Sequence, residues 1–81
     1  MTLHVRLFAR ARDLVGADAV AVELPPGATA SDLRRELAKR HPKLAGLLER
    51  SALAVDNEFA DDVQPLPEGA EVAVLPPVSG G

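Results

Sequence analysis

Residues 2–9 read TLHVRLFA, and apolar and polar side chains alternate over the first six of them. Leu3, Val5 and Leu7 would share one face of a β-strand, because successive side chains of a strand point to opposite faces. The alternation therefore predicts a first strand with one face against the core. Phe8 falls out of phase with these three positions, so we expect it on the opposite face of the sheet.

Two short elements are predicted directly after this strand. Residues 10–15 favour one or two helical turns that end at Gly16, since glycine readily takes the left-handed conformation that caps a helix. Residues 19–24 read AVAVEL and alternate again, which predicts a second strand. The two prolines that follow it, at 25 and 26, cannot continue a ladder.

The main helix is predicted over residues 30–41. Thr29 stands three residues before Asp32, which is an approximate capping box, and Leu33 and Leu37 form an apolar stripe. Pro42 disfavours helical geometry in the residue before it, so the helix is expected to end there.

The second half of the chain contains shorter elements. In chain order they are a short helix around residues 44–48, a strand over residues 52–56, a turn at Asn57 and Glu58, an irregular stretch over residues 61–67 and a last strand over residues 71–75. This order predicts an α+β fold, in which one main helix packs on one face of a mixed sheet of four or five strands. If the first and last strands are parallel and adjacent, the architecture is the β-grasp of ubiquitin. We assign residues 1–75 to this domain and residues 76–81 to a flexible C-terminal tail.

The composition excludes several classes of function. A chain of 81 residues has room for one small core, and without cysteine it offers no disulfide, thiolate metal site or catalytic thiol. Its net charge of −3 is the wrong balance for binding nucleic acid. No apolar run approaches the ~18 residues of a membrane span, so we expect a cytoplasmic protein with no membrane partner.

The usual catalytic and metal-binding patterns are missing. The polar candidates are two histidines, two serines, an adjacent acid pair and a basic group: His4, His41, Ser31, Ser51, Asp61, Asp62, Arg6, Arg10 and Arg12. The histidines have no second ligand at metal-binding spacing, and the serines lack the partners of a nucleophilic triad. We expect the acid pair to be solvated and the arginines to be surface charges or ion pairs, with contact to an acidic partner or a phosphate as the alternative. No metal site is predicted.

The C-terminal tail, PPVSGG at residues 76–81, is the remaining feature that could carry chemistry. Without side chains, Gly80 and Gly81 can pass through a narrow channel and deliver the terminal carboxylate to a recessed site. Six extended residues at roughly 3.3 Å each reach about 20 Å. The alternative is an inert, frayed end, which is common at chain termini.

Strand parity predicts an apolar patch beside this tail. Leu75 is out of phase with the inward Val72 and Val74, as Phe8 is in the first strand, so the two residues would share the outer face if their strands are neighbours. Phe59 can join them from beyond the turn, or else pack locally under a loop. We interpret Phe8, Phe59 and Leu75 as a surface that binds a partner.

Three stretches carry a resemblance to a known family: VRLFARARDLVG at residues 5–16, TASDL at residues 29–33 and EVAVLPPVSGG at residues 71–81. Over nearly its whole length the chain resembles the small, sulfur-carrying subunit of molybdopterin synthase. The C-terminal stretch is the specific part, and the other two indicate only the wider β-grasp sulfur carriers.

The resemblance implies a chain that is not catalytic alone and binds no cofactor itself. An adenylyltransferase partner would use ATP to convert the Gly81 carboxylate to an acyl-adenylate, and sulfur transfer would give a thiocarboxylate. That group would donate sulfur to precursor Z, a cyclic pyranopterin, in molybdenum cofactor biosynthesis. The large synthase subunit, in a heterotetramer, would receive the rest of the tail in its active site: Pro76, Pro77, Val78, Ser79 and Gly80. In this family, apolar positions matching the patch face the partners.

Two alternatives keep the same fold. In the first, the carrier serves thiamine synthesis or transfer-RNA thiolation, or acts as a ubiquitin-like modifier. The two prolines before the final VSGG speak against a thiamine carrier. The chain has only two lysines, Lys39 and Lys43, which offer little for a carrier that also acts as a conjugated modifier. The second alternative is a β-grasp interaction module whose tail is inert.

Overall fold

A computed structural model describes residues 1–77 of the chain and shows a five-stranded sheet covered by helices on one face. The predicted reactive end, residues 78–81, lies outside the described residues. The elements in chain order are β1 (Thr2–Leu7), α1 (Ala9–Val15), β2 (Ala19–Glu23), α2 (Ala30–Arg40), a 3-10 turn (Pro42–Leu44), α3 (Ala45–Arg50), β3 (Ala52–Val55), β4 (Glu58–Phe59) and β5 (Glu71–Leu75).

The sheet has the strand order β2-β1-β5-β3-β4. The two strands at the ends of the domain, β1 and β5, are parallel neighbours at its centre, with Val5 opposite Val72 and Leu7 opposite Val74. The other three pairings are antiparallel. The parallel central pair was the condition for a β-grasp fold, and the predicted fold class is confirmed.

One face of the sheet packs on the helices and forms the core. The core side chains on the strands and helices are aliphatic and almost fully excluded from solvent; the largest are Leu3, Leu7, Leu33, Leu37, Leu44, Leu53, Val5, Val22, Val72 and Val74. They include the three first-strand residues predicted to face inward. Besides the main helix, α1 and α3 complete the covering layer through Ala11, Leu47 and Leu48.

The main helix begins as its sequence predicts. The Asp32 backbone N–H donates to the Thr29 hydroxyl at 3.3 Å, and the Thr29 backbone N–H donates to the Asp32 carboxylate at 2.9 Å. The second bond, followed by a bond from the Arg35 guanidinium, lowers the pKa of Asp32 below its ordinary value. The helix ends at Arg40, one residue earlier than predicted, because His41 precedes proline and leaves the helical conformation.

Arg34 joins the helical layer to two other parts of the molecule. Its guanidinium donates to the backbone carbonyls of Leu48 and Ser51 at 2.5 and 2.8 Å, at the end of α3. It also donates to the Asp62 carboxylate at 2.9 Å. These three bonds tie α2 to α3 and to the loop before β5.

The predicted turn before Phe59 is misplaced by one residue. Glu58 belongs to β4, and the turn residues are Asp56 and Asn57, with φ angles of 48° and 71°. A two-residue hairpin favours positive φ at both positions, and Asp and Asn tolerate it better than most residues. The Asp56 carboxylate also accepts the Glu71 backbone N–H at 3.1 Å, which joins this hairpin to the start of β5.

Candidate functional site

The outer face of the sheet, opposite the helices, carries a shallow apolar depression of about 250 Å³. Its lining residues come from the end of β1, the β3-β4 hairpin and β5: Phe8, Ala54, Asn57, Phe59, Ala73 and Leu75. All three residues predicted for the partner-binding patch are therefore on one surface. We call it the outer depression.

The strand register explains why these side chains meet. Ala73 on β5 lies opposite Ala54 on β3, and Ala54 lies opposite Phe59 on β4, so the three form one row across the sheet. Residues opposite each other in a sheet share a face. Leu75 is two residues beyond Ala73 and returns to that face, and Phe8 directly follows Leu7 at the end of β1.

Small residues form the floor of the outer depression and aromatic rings border it. Ala54 and Ala73 keep the floor low, whereas Phe8 and Phe59 are 42% and 77% exposed. These are the only two aromatic residues in the chain. A small domain gains stability by burying large apolar side chains, so two exposed phenylalanines on one surface indicate a contact with another molecule.

The tail leaves the domain at the same place. Leu75 is the last residue of β5 and is itself part of the depression. Pro76 is half-buried and Pro77 is exposed, and neither belongs to a strand. The predicted insertion residues Val78, Ser79 and Gly80, and the predicted reactive Gly81, lie outside the described residues. A partner bound at the outer depression would therefore be next to the start of the tail.

The two serines and the acid pair do not line the outer depression. The Ser51 side chain is buried, and its hydroxyl donates to the Leu47 carbonyl at 2.7 Å. Ser31 is in the first turn of α2. Asp62 accepts the Arg34 bond described above, and Asp61 is exposed beside it.

The arginines of β1 and α1 are exposed, as expected, and two of them have ionic partners. The Arg6 guanidinium lies 3.6 Å from the Glu71 carboxylate, and the Arg12 guanidinium lies 3.9 Å from the Asp18 carboxylate. Across residues 1–77 no three histidine or acidic side chains are grouped so that they could hold a metal ion. No helix in the same range is long and apolar enough to cross a membrane.

Sequence reasoning missed three residues of the outer depression. Ala54 and Ala73 lie between inward-facing residues of their strands, so the same parity that placed Leu75 outside predicts them too. Asn57 was correctly predicted to lie in the turn, but its place beside the patch depends on the pairing of β3 with β4, which the sequence does not show. The alternation along the two strands indicates the outer face for both alanines, but the predicted patch included only large apolar side chains.

Comparison with known proteins assigns the chain to a family. The ThiS family model matches residues 5–81. A molybdopterin synthase sulfur carrier subunit from Chlamydomonas reinhardtii is 34% identical over 83 residues, covering 100% of both chains. Its Escherichia coli counterpart is 40% identical over 83 residues, covering 98% of this chain and 99% of its own.

Solved structures share the fold of the described residues. SAMP1 from Haloferax volcanii superposes with a TM-score of 0.88 at 27% identity and full coverage of both chains. A protein from Pyrococcus furiosus, assigned as subunit 1 of a molybdopterin converting factor, has a TM-score of 0.87 at 34% identity, with 96% of this chain and 99% of that chain covered. The chain therefore belongs to the ThiS family, among the sulfur carrier subunits of molybdopterin synthase.

Proposed function

We propose that this sulfur carrier docks through the outer depression and delivers sulfur on its C-terminal Gly81. The supporting observation is that Leu75 both lines the depression and ends the last strand. Docking at this surface would place the first tail residue, Pro76, at the partner. The tail of residues 76–81, which can span at most about 20 Å, would then enter the partner's active site.

The chemistry begins with activation of the Gly81 carboxylate. A free α-carboxylate has a pKa of about 3.5, so at neutral pH it is an anion that resists nucleophilic attack. Attack of this carboxylate on the α-phosphate of ATP, in an adenylyltransferase, would give an acyl-adenylate and release pyrophosphate. A sulfur nucleophile at the oxidation level of hydrosulfide would then replace AMP and leave a thiocarboxylate.

The partner on which the carrier docks to deliver its sulfur is the large subunit of molybdopterin synthase. The relatives are named as sulfur carrier subunits, which implies a second kind of subunit in their synthase. We propose a heterotetramer, in which the large subunit supplies the pocket and acid–base groups and the thiocarboxylate sulfurates a cyclic pyranopterin. Phe8 and Phe59 would supply much of the docking energy, since buried aromatic anchors dominate most interfaces.

Mass spectrometry of the intact chain tests the chemistry. After incubation with the adenylyltransferase, ATP and a sulfur donor, the chain should gain the mass difference between sulfur and oxygen, and the gain should map to Gly81. A matched variant with one alanine added after Gly81 retains both glycines but moves the carboxylate, and it should show no gain. An unmodified wild-type chain, with an adenylyltransferase that is active on another carrier, would contradict the proposal.

A second candidate function is conjugation to proteins. It is favoured by the likeness to SAMP1, whose group is described as small archaeal modifier proteins. In that case the activated Gly81 carboxylate would form an amide bond with a lysine amine of another protein, with loss of AMP. Peptide mass spectrometry of cell extracts separates the two functions, because conjugation leaves the C-terminal residues of this chain on lysines of target proteins.

The remaining alternatives differ in the pathway that receives the sulfur or in whether the tail is reactive. Capture of the native partner distinguishes a synthase large subunit from a thiazole-forming enzyme or a transfer-RNA thiolase. Removal of Gly80 and Gly81 tests the inert tail: a truncated chain that still supports pyranopterin sulfuration would show that the tail carries no chemistry.

A further inference from the structure

The outer depression is bordered by unusual backbone conformations. Within residues 1–77, three non-glycine residues have positive φ: Ala9 at 49°, Asp56 at 48° and Asn57 at 71°. All three adjoin the depression, because Ala9 follows Phe8 and the other two form the turn that leads to Phe59. Asp and Asn visit this region readily in hairpin turns, but alanine is disfavoured there. Ala9 is therefore the exception that needs a reason.

The residues on either side of Ala9 lie on opposite faces of the sheet. Phe8 is still extended, with φ −126° and ψ 156°, so it continues the alternation of β1 for one more residue and its side chain reaches the outer face. Only three residues later, Ala11 is fully buried in the helical layer on the inner face. The left-handed conformation of Ala9 turns the chain so that Phe8 can lie on the outer face and Ala11 on the inner face.

Neighbouring hydrogen bonds hold this junction from both sides. The Leu7 backbone N–H donates to the Asp18 carbonyl at 2.7 Å, which keeps the end of β1 in place. The Phe8 carbonyl accepts the Ala11 N–H at 3.1 Å, which closes the first turn of α1 around Ala9. The Ala9 side chain is exposed, so burial of its methyl group does not account for the conformation. Strained backbone that persists in this way is concentrated at functional sites.

We infer that Ala9 is a positioning residue for docking: its left-handed backbone holds Phe8 on the outer depression before a partner binds. A preformed surface binds more tightly, because less conformational freedom is lost on association. The inference rests on the proposed function, in which the outer depression docks on the large subunit.

The test replaces Ala9 with residues that differ in their access to the left-handed region. Valine is β-branched and strongly disfavoured there, whereas glycine enters it freely. Ala45→Val is the matched control, since Ala45 is also the exposed first residue of a helix but has an ordinary φ of −51°. Each variant is made with fluorine-labelled phenylalanine, which gives two resonances because the chain has only two phenylalanines. A Phe59→Leu chain assigns them.

Two readouts are measured for each variant: the two fluorine shifts of the free chain and the Kd for the molybdopterin synthase large subunit of the same organism. We expect Ala9→Val to move the Phe8 resonance, leave that of Phe59 in place and raise the Kd about tenfold or more. Ala9→Gly and Ala45→Val should retain both wild-type resonances and bind within about twofold of wild type.

The inference is wrong if Ala9→Val leaves the Phe8 resonance and the Kd unchanged while Phe8→Ala weakens binding. If Ala9→Val does not fold, Ala9→Thr takes its place, since threonine is also β-branched and disfavoured in the left-handed region; a wild-type Phe8 resonance and Kd in that variant would contradict a role for the left-handed backbone. Wild-type binding by both Phe8→Ala and Ala9→Val would instead overturn the docking surface of the proposed function, and the role of Ala9 in docking with it.

Discussion

The two faces of the sheet use the same strands for opposite purposes. On the inner face, Leu53 and Val74 are at most 1% exposed and are covered by helices. On the outer face, the neighbouring Ala73 and Leu75 are half-buried, and Phe59 stands largely in solvent. Because side chains alternate along a strand, one short stretch supplies both a residue that stabilises the fold and a residue that is available for binding. The comparison predicts that substitutions on the two faces have separable effects.

The largest expected effect comes from the inner face. Leu53→Ala should lower the free energy of unfolding by about 2–5 kcal/mol, because it leaves a cavity in a close-packed core. Chemical denaturation measures this loss. Ala73→Ser on the outer face of the adjacent strand is the control and should change stability by no more than about 0.5 kcal/mol. If the two substitutions cost the same, the contrast between the faces is wrong.

The next effect is on docking rather than on folding. Phe8→Ala should weaken binding to the large subunit by about 2 kcal/mol, roughly 30-fold, as expected when an aromatic anchor is removed. Its midpoint of denaturation should remain close to wild type because the ring is substantially exposed. Val63→Ala is the control, since Val63 is 81% exposed but is not part of the outer depression. Calorimetric titration of both variants would refute the docking surface if they bind alike.

A smaller effect is expected at the start of α2, in the layer that covers the inner face. Thr29→Ala removes the hydroxyl that accepts the Asp32 N–H and should lower the free energy of unfolding by about 1 kcal/mol. Binding to the large subunit should not change, because the cap is not part of the outer depression. Denaturation and titration on the same sample check both parts, and weaker docking by this variant would count against two independent faces.

The smallest effect is a pH dependence of stability. The pKa of Asp32 is lowered by the Thr29 backbone N–H and the Arg35 guanidinium, so the ionised carboxylate favours the folded state. This stabilisation is complete above the ordinary aspartate pKa of about 3.9 and is lost as the pH falls through the lower folded-state value. Asp32→Asn should therefore flatten the loss of stability on acidification. Thr29→Ala retains the backbone N–H and should retain most of the acid dependence, and an unchanged pH profile in Asp32→Asn would contradict this assignment.

Much of the fold and of the candidate site could be predicted from alternation and capping. The alternation in β1 predicts that Leu3, Val5 and Leu7 face the core. Phe8 and Leu75 fall out of phase with the inward residues of their strands, which predicts that both face outward. These patterns are local and depend only on the period of a strand. The cap at Thr29 could be predicted too, because its two partners are only three residues apart in the sequence.

Other features depend on residues distant in the sequence or on conformations that side chains do not signal. The carbonyl partners of Arg34 lie 14 and 17 residues away, and only the folded chain brings them together. Nothing in the identity of Ala9 indicates a left-handed backbone, because alanine prefers the right-handed helix. The turn at Asp56 and Asn57 was misplaced because adjacent polar residues leave the position of a hairpin uncertain by one residue.

Amide NMR mapping of the isotope-labelled chain against the unlabelled large subunit tests most directly whether the outer face is the docking face. We predict that the largest shift changes or line broadening will occur at Phe8, Phe59, Ala73 and Leu75, while the α2 and α3 amides from Leu33 to Leu48 change little. Changes concentrated on the helical layer, with the outer depression unaffected, would contradict the account.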